Sequence, residues 1–488
     1  VVVVVSILLA AAACSGSDAP APPVARASTD WATAGGGTDN ARVAKGTTWS
    51  VASVPSATEA WTTEVAELGG LPTTPIVVGD VVYVGGTSGV VAALDRSSGR
   101  VRWKTEASGF TIGPTGVAVA GGRVFGLKGS TGVVAYDAGD GHQLWSKDVT
   151  ETPTTGIDIQ PVVHDGLVLV STVPVSVQGI YKGGDHGVIH ALDAATGAER
   201  WAFDTVEDGL WGNPAVNSGG GAWYPPAVDE ARGLVYFGIA NPAPFPGTKA
   251  FPNGTSRPGD NLYTDSLVAL DLETGKLRWY RQVIPHDLFD RDQVMALIAR
   301  PEGGEVVVSS GKSGIVVGLD PDTGKELWRT PVGKHDNDDL TALDGETSVY
   351  PGTYGGVLTP PSSADGVVYL PVVNSPAKLE PDEEAYFGTA MGTEDGTVAA
   401  VDAATGKVVW SREVPGDPLG GTTVVGDLLL VPLLSGKVLG LDRATGKTVW
   451  QADLHGSTNG QPAVSGDLVV FPVGTSAPPK LVAYRVRG

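Results

Sequence analysis

Asp290 and Asp292, two residues apart in the segment RQVIPHDLFDRD (residues 281–292), form a carboxylate pair that could hold a hard cation or accept a proton. On an extended strand alternate side chains share a face, so this spacing would put both carboxylates on one side. A loop would not guarantee it, and each aspartate taken singly is also explained as a turn or strand-end residue. The acidic run HDNDD at residues 335–339 lacks the periodic ligand spacing of a calcium loop and reads as a solvated loop. His142, His164, His186, His190 and His455 show no ligand-like grouping. Cys14 is the only cysteine, which excludes a disulfide, a thiolate metal site and a c-type haem attachment motif from this sequence.

The elements that must position such groups are repeats. GVVAALDRSSGRVRW ends at Trp103, GVIHALDAATGAERW at Trp201 and GKVLGLDRATGKTVW at Trp450, with further units ending at Trp145, Trp279, Trp328 and Trp410. In each, alternating apolar residues make a strand, Asp opens a turn that Gly closes at positive φ, and a second strand carries the Trp. Alternating segments upstream, such as GDVVYVGGT and GDLLLVPLL, supply two more strands per unit. From Trp61 onward the tryptophans are 42, 42, 56, 78, 49, 82 and 40 residues apart. Spacings of 40 to 49 fit one four-stranded blade, and the gaps of 78 and 82 fit a blade with an insertion. Trp61 lacks upstream strands of its own, whereas QPAVSGDLVVFPVG and KLVAYRVRG near the end lack a Trp. Pairing the two closes the ring and leaves no sheet edge open, which predicts an all-β, eight-bladed propeller. The repeat tryptophans fill wedges between blades and carry no chemistry.

Composition agrees: 68 Gly and 35 Pro with 18% charged residues suit short strands and tight turns. A net charge of −21 without clustered Lys and Arg excludes nucleic acid as a partner. The run Val1–Val5, Ile7, Leu8, Leu9 and Ala10–Ala13 is too short to span a membrane comfortably and matches the apolar core of an export signal. Its end at Cys14 resembles a bacterial lipoprotein cleavage site, with Cys14 lipidated, in preference to an ordinary signal from which Cys14 is discarded. This divides the chain into a signal (1–14), a Pro/Ala/Ser tether (15–29) and the propeller (30–488), and predicts an extracytoplasmic, membrane-anchored lipoprotein.

The repeats resemble those of pyrroloquinoline quinone (PQQ) dependent dehydrogenases, over nearly all of the chain after the tether, starting at DWATAGGGTDNAR with Asn40 and Arg42. Cofactor-free membrane assembly scaffolds share the blade repeat, so the non-repetitive segments discriminate better. Residues 219–244 resemble the family stretch with a cofactor-stacking tryptophan and a metal-binding asparagine, which fall on Trp223 and Asn241. RPGDN at 257–261 continues the match, residues 281–292 resemble the catalytic motif with the base at Asp290, and SSGKSG at 309–314 brings a cation to the quinone oxygen through Lys312. The resemblance therefore implies Asp290 and Lys312 as catalytic, Trp223, Lys312, Asn374, Asp158 and Thr115 around PQQ, and Asn241, Asp290 and Asp292 around Ca²⁺ or a lanthanide ion.

The chain also departs from the family pattern. Gly109 and Phe110 replace its adjacent cysteines, Thr115 replaces a cofactor-binding arginine, and Asp158 aligns with a threonine. Residues 171–187, where the metal-binding glutamate belongs, contain no Glu, although Asp185 is a candidate donor. Asp292 matches an additional aspartate of lanthanide-using relatives. The implied activity is oxidation of an alcohol-type small molecule, with electrons passed to an external acceptor. The alternative is a cofactor-free propeller serving as a binding or scaffold lipoprotein of the cell envelope.

Overall fold

The computed structural model describes residues 29–111, 113–175, 180–384, 391–392, 395–475 and 478–486. Cys14, the signal and the tether up to residue 28 lie outside the described residues. Antiparallel sheets succeed one another over residues 76–104, 118–148, 155–204, 227–282, 295–331, 362–414 and 423–453. An eighth joins Ala463–Ser465, Leu468–Val473 and Lys480–Arg485 to the N-terminal strand Thr58–Glu64. The register sets Trp61 opposite Ala483, so the predicted closure of an eight-bladed ring is what the chain forms. Seven sheets have four strands and the third has five. Among the described residues the helical elements are four short 3-10 turns.

Burial follows position within the blade. Leu167–Pro174 and Leu428–Pro432 are buried throughout, because both faces of an inner blade strand meet neighbouring blades. The outermost strands are largely exposed; in Val408–Val414 Trp410 is buried between exposed neighbours. Seven repeat tryptophans donate their indole N–H to a main-chain oxygen of the following blade, from Trp61 to Arg96 at 3.1 Å through Trp410 to Arg443 at 3.1 Å. Each ring lies on the turn glycine of that blade. At Gly275, whose φ is +69°, a Cβ would stand 2.5 Å from the Trp201 ring, so the repeat needs glycine there. Trp450 faces the split blade, which has no such turn, and instead meets Trp49 and Tyr484 edge-on at 5.9 Å each.

The segment before the closing strand crosses the ring. Backbone hydrogen bonds tie Trp31 to Val77, Thr38 to Val228, Asp39 to Ile298, Ala41 to Ser363 and Arg42 to Val424, touching the inner strands of five blades. Asn40 adds side-chain bonds to the carbonyls of Pro225 and Ala296 at 2.9 and 2.8 Å. Arg42 is buried, and its guanidinium reaches Ala34, Thr422, Thr423 and Pro462. The resemblance at Asn40 and Arg42 thus marks a strap that fastens the ring from inside.

Candidate active site

A cavity of about 650 Å³ opens at the ring centre, where loops entering the inner strands meet loops between second and third strands. Pro72, Pro114 and Tyr224 line both this cavity and a small cleft bounded by Ala34, Asn40 and Arg42. The strap therefore stands behind the cavity. Three successive blades supply Asp158, then Trp223 and Asn241, then Asp290, Asp292 and Lys312.

The loop bearing the carboxylate pair is shaped by Asp287, whose two oxygens accept the N–H groups of Phe289 and Arg291, both at 2.7 Å. Asp290 and Asp292 take φ values of +63° and +36°, so they are not alternate residues of a strand. Left-handed backbone at a non-glycine residue is sparsely populated and is held here by the surrounding loop. The two carboxylates nonetheless converge: Lys312 Nζ is 2.8 Å from Asp290 Oδ2 and 2.5 Å from Asp292 Oδ2. Gly311 permits this approach, since a Cβ there would lie 1.9 Å from the Asp292 carbonyl oxygen. Asp292 Oδ1 accepts the Asn241 N–H at 2.8 Å, which couples the amide residue to the pair. Lys312 Nζ also lies 5.5 Å from the Trp223 ring centroid, within cation–π range.

Burial decides the electrostatics. Desolvation pushes the Asp290 carboxyl well above its usual range, with the Lys312 ammonium opposing and Asp292 adding to the rise. Desolvation alone would lower Lys312, yet the two carboxylates outweigh it and hold the ammonium charged. Asp158 is raised by desolvation and then by Asp292; its Oδ1 has no hydrogen-bond partner and packs against Gly113.

Other expected residues fall elsewhere. Thr115 is buried behind the cavity-lining Pro114 and does not line the cavity. Asn374 does not line it either: its amide is committed to Lys334 N, Asp395 O and Thr397 Oγ1 at 2.9 to 3.1 Å. Asp185 is buried with Oδ2 unpartnered, outside the cavity lining. Phe110 stands on the rim and is 70% exposed. In the run 335–339, His335 pairs with Asp338 at 2.7 Å. The absence of any ligand-like histidine grouping needs correction at His142, whose ring meets Asp137 and Asp140 with ligand atoms within 4.8 Å, at an exposed turn. Sequence reasoning missed Asp265, which is fully buried beside the Asn241 backbone. Its only signal is a charge at the head of the apolar strand Ser266–Asp271. No helix among the described residues is long and apolar enough to cross a membrane.

The family model "Glucose/ethanol/alcohol dehydrogenase, beta-propeller domain" matches residues 150–330, and that of "Outer membrane protein assembly factor BamB" matches residues 46–202 and 394–480. The quinohemoprotein alcohol dehydrogenase of Comamonas testosteroni is 27% identical, over 84% of this chain and 67% of its own length. The polyvinylalcohol dehydrogenase of Sphingopyxis sp. (strain 113P3) is 26% identical, over 81% and 68%. The chain thus spans about two thirds of the length of these curated relatives. The solved structure of a europium-containing methanol dehydrogenase superposes with a TM-score of 0.77 at 20% identity, covering 94% of this chain and 98% of that one.

Proposed function

The chain belongs to the PQQ-dependent dehydrogenase-like family of β-propeller repeat proteins, and we propose that it oxidises an alcohol-type small molecule outside the cytoplasm, using PQQ and a bound Ca²⁺ or lanthanide ion. One observation carries this reading: Asp290, Asp292 and Lys312 meet at hydrogen-bonding distance in the central cavity, beside Trp223 and Asn241. The donor set fits a hard cation, because two carboxylate oxygens already point at a single positive charge, with an asparagine adjoining. The indole of Trp223 fits a flat ring system, and the cavity is large enough for a cofactor with a substrate.

When bound, the quinone supplies a carbonyl that accepts hydride and the cation polarises that carbonyl. The protein's own part is to hold and to move charge. Asn241, Asp290 and Asp292 would hold the cation, and Trp223 would support the ring. A carboxylate oxygen of Asp290 takes the substrate hydroxyl proton as the carbon gives up hydride, leaving a carbonyl product. Only its ionised form can accept that proton, so the step requires Asp290 as a carboxylate. Lys312, which holds both carboxylates in this structure, would be freed where the cation takes its place and could then stabilise negative charge developing on an acceptor oxygen. Electrons would then leave to an external acceptor.

The experiment is alcohol-dependent dye reduction by purified protein reconstituted with PQQ and Ca²⁺ or La³⁺. Asp290→Asn should reduce the rate by at least about a hundredfold; retention of full rate would remove Asp290 from the chemistry. A second reading, a cofactor-free binding propeller, is favoured by Asp158, an unpartnered carboxylate on the wall where an anionic cofactor would lie. The anchoring proposal is separate: Cys14→Ser should release the protein from the membrane fraction, and unchanged association would exclude lipidation at Cys14.

A further inference from the structure

Asp265 immediately precedes the strand Ser266–Asp271, with its N–H on Ala240 O at 3.3 Å and its carbonyl accepting the Val283 N–H at 2.9 Å. The backbone thereby pins it beside Asn241, in a left-handed conformation with φ +51°. The side chain is wholly buried, and neither carboxylate oxygen has a hydrogen-bond partner. Buried charges are ordinarily paired or bind metal, so an aspartate in this condition needs a counter-charge.

No cation nearby bonds Asp265. Arg257 shares the field of Asp265, but its N–H groups go to Pro244 O, Asn261 Oδ1 and Asp287 O. Arg291 donates Nη1 to Pro351 O at 2.8 Å and leaves Nη2 without a partner, within the field of Asp265 but not bonded to it, and Lys312 lies between Asp290 and Asp292. Asp265 lies within the field of Asp287, Asp292 and Asp290. The groups that share this field are four buried carboxylates, Asp265, Asp287, Asp290 and Asp292, and the three cations Arg257, Arg291 and Lys312. Fully ionised, the set lacks one positive charge.

We propose that Asp265 belongs to the cation-holding set: from behind Asn241 it supplies the negative charge that residues 171–187, which contain no glutamate, do not. It acts as a positioning and charge-supplying residue beside the ligands. This rests on the reading of Asn241, Asp290 and Asp292 as a cation site. Its consequence is a change of opposite sign in two properties. Removing the charge should weaken cation binding and, in the metal-free protein, should raise stability by deleting an unpaired buried carboxylate.

The test uses the full-length protein and terbium ion alone, without quinone, with Tb³⁺ luminescence excited through tryptophan as the binding signal. Asp265→Asn should bind Tb³⁺ about tenfold or more weakly than wild type, since one charge is lost from a low-dielectric site. Its metal-free melting temperature should rise. Asp265→Ser should repeat both effects and guards against a misfolded first variant, while Asp265→Glu should restore much of the affinity. Equal Tb³⁺ affinity in wild type and Asp265→Asn would overturn the role of Asp265 and leave the cation site standing. Absence of Tb³⁺ binding by folded wild type would overturn the site and the proposal together. A fall in metal-free stability of both neutral variants would mean that Asp265 has a structural partner, which also overturns the proposal.

Discussion

Aspartates in the outer turns of the blades and aspartates in the central cavity meet opposite environments. Asp193, Asp271, Asp320 and Asp442 each accept a backbone N–H and a hydroxyl hydrogen bond from the threonine three residues on. The threonine hydroxyl leads in holding these carboxyls below their ordinary range. Asp158, Asp265 and Asp290 are driven upward, by desolvation first. One residue type therefore fixes the fold where its oxygens are satisfied and costs stability where burial strips them of water. The difference marks out one region of the ring more sharply than the repeats do, because the turn recurs in blade after blade whereas the upward-driven carboxylates come from three successive blades.

The comparison is broken most severely by opening the ring. Deleting residues 30–66 removes the strap and the strand Thr58–Glu64. Cooperative unfolding followed by circular dichroism should be lost, because the change is comparable with a domain's whole stability of about 5–15 kcal/mol. An unchanged melting temperature would contradict closure by this strand. Next in size is Lys312→Met, which leaves Asp290 and Asp292 buried without their ammonium. Metal-free protein at neutral pH should lose about 3–5 kcal/mol by denaturant titration. A cation that takes the place of the ammonium should restore much of that loss.

A smaller effect is the pH dependence of the metal-free protein, in which the two regions have opposite signs. A carboxyl with a raised folded pKa binds more protons in the native state, so stability falls as pH rises from its unfolded value, about 3.9, towards the folded value. The cavity set should therefore lower the melting temperature between mildly acidic and neutral pH, and Asp265→Asn should flatten that slope. The turn set has depressed pKa values, so its stability is present above about 3.9 and is lost as pH falls below it. A metal-free melting temperature that rises steadily from mildly acidic to neutral pH would contradict the assignment. The smallest effect is Asp271→Ala in a single turn, expected to lower the melting temperature by about 1 °C at neutral pH, with no change in Tb³⁺ binding.

The ring was legible because its causes are local and repeated: turn aspartate, turn glycine and docking tryptophan lie within one stretch of each blade. Trp450 is the exception, since the turn it would need is lost where the blade is split, and only folding brings Trp49 and Tyr484 to it. The convergence of Asp290 and Asp292 was anticipated through strand alternation, whereas left-handed loop geometry produces it. Trp223, Asn241, Asp158 and Lys312 reach the same cavity, while Thr115 and Asn374 do not line it; at Asn374 the resemblance fixes the position in the chain but not which hydrogen bonds claim the side chain. Asp265 resembles any residue that opens a strand. Its meaning depends on distant Asp287 and Asp292, whose proximity is a product of the fold.

The most direct test of a cation-dependent quinone site is equilibrium binding of PQQ to full-length protein, followed by quinone absorbance with and without Ca²⁺ or La³⁺. The site described here predicts saturable binding that strengthens with the cation and that Trp223→Ala weakens through loss of the aromatic floor. Folded protein that binds no PQQ with either cation would contradict it and leave the cofactor-free propeller as the function.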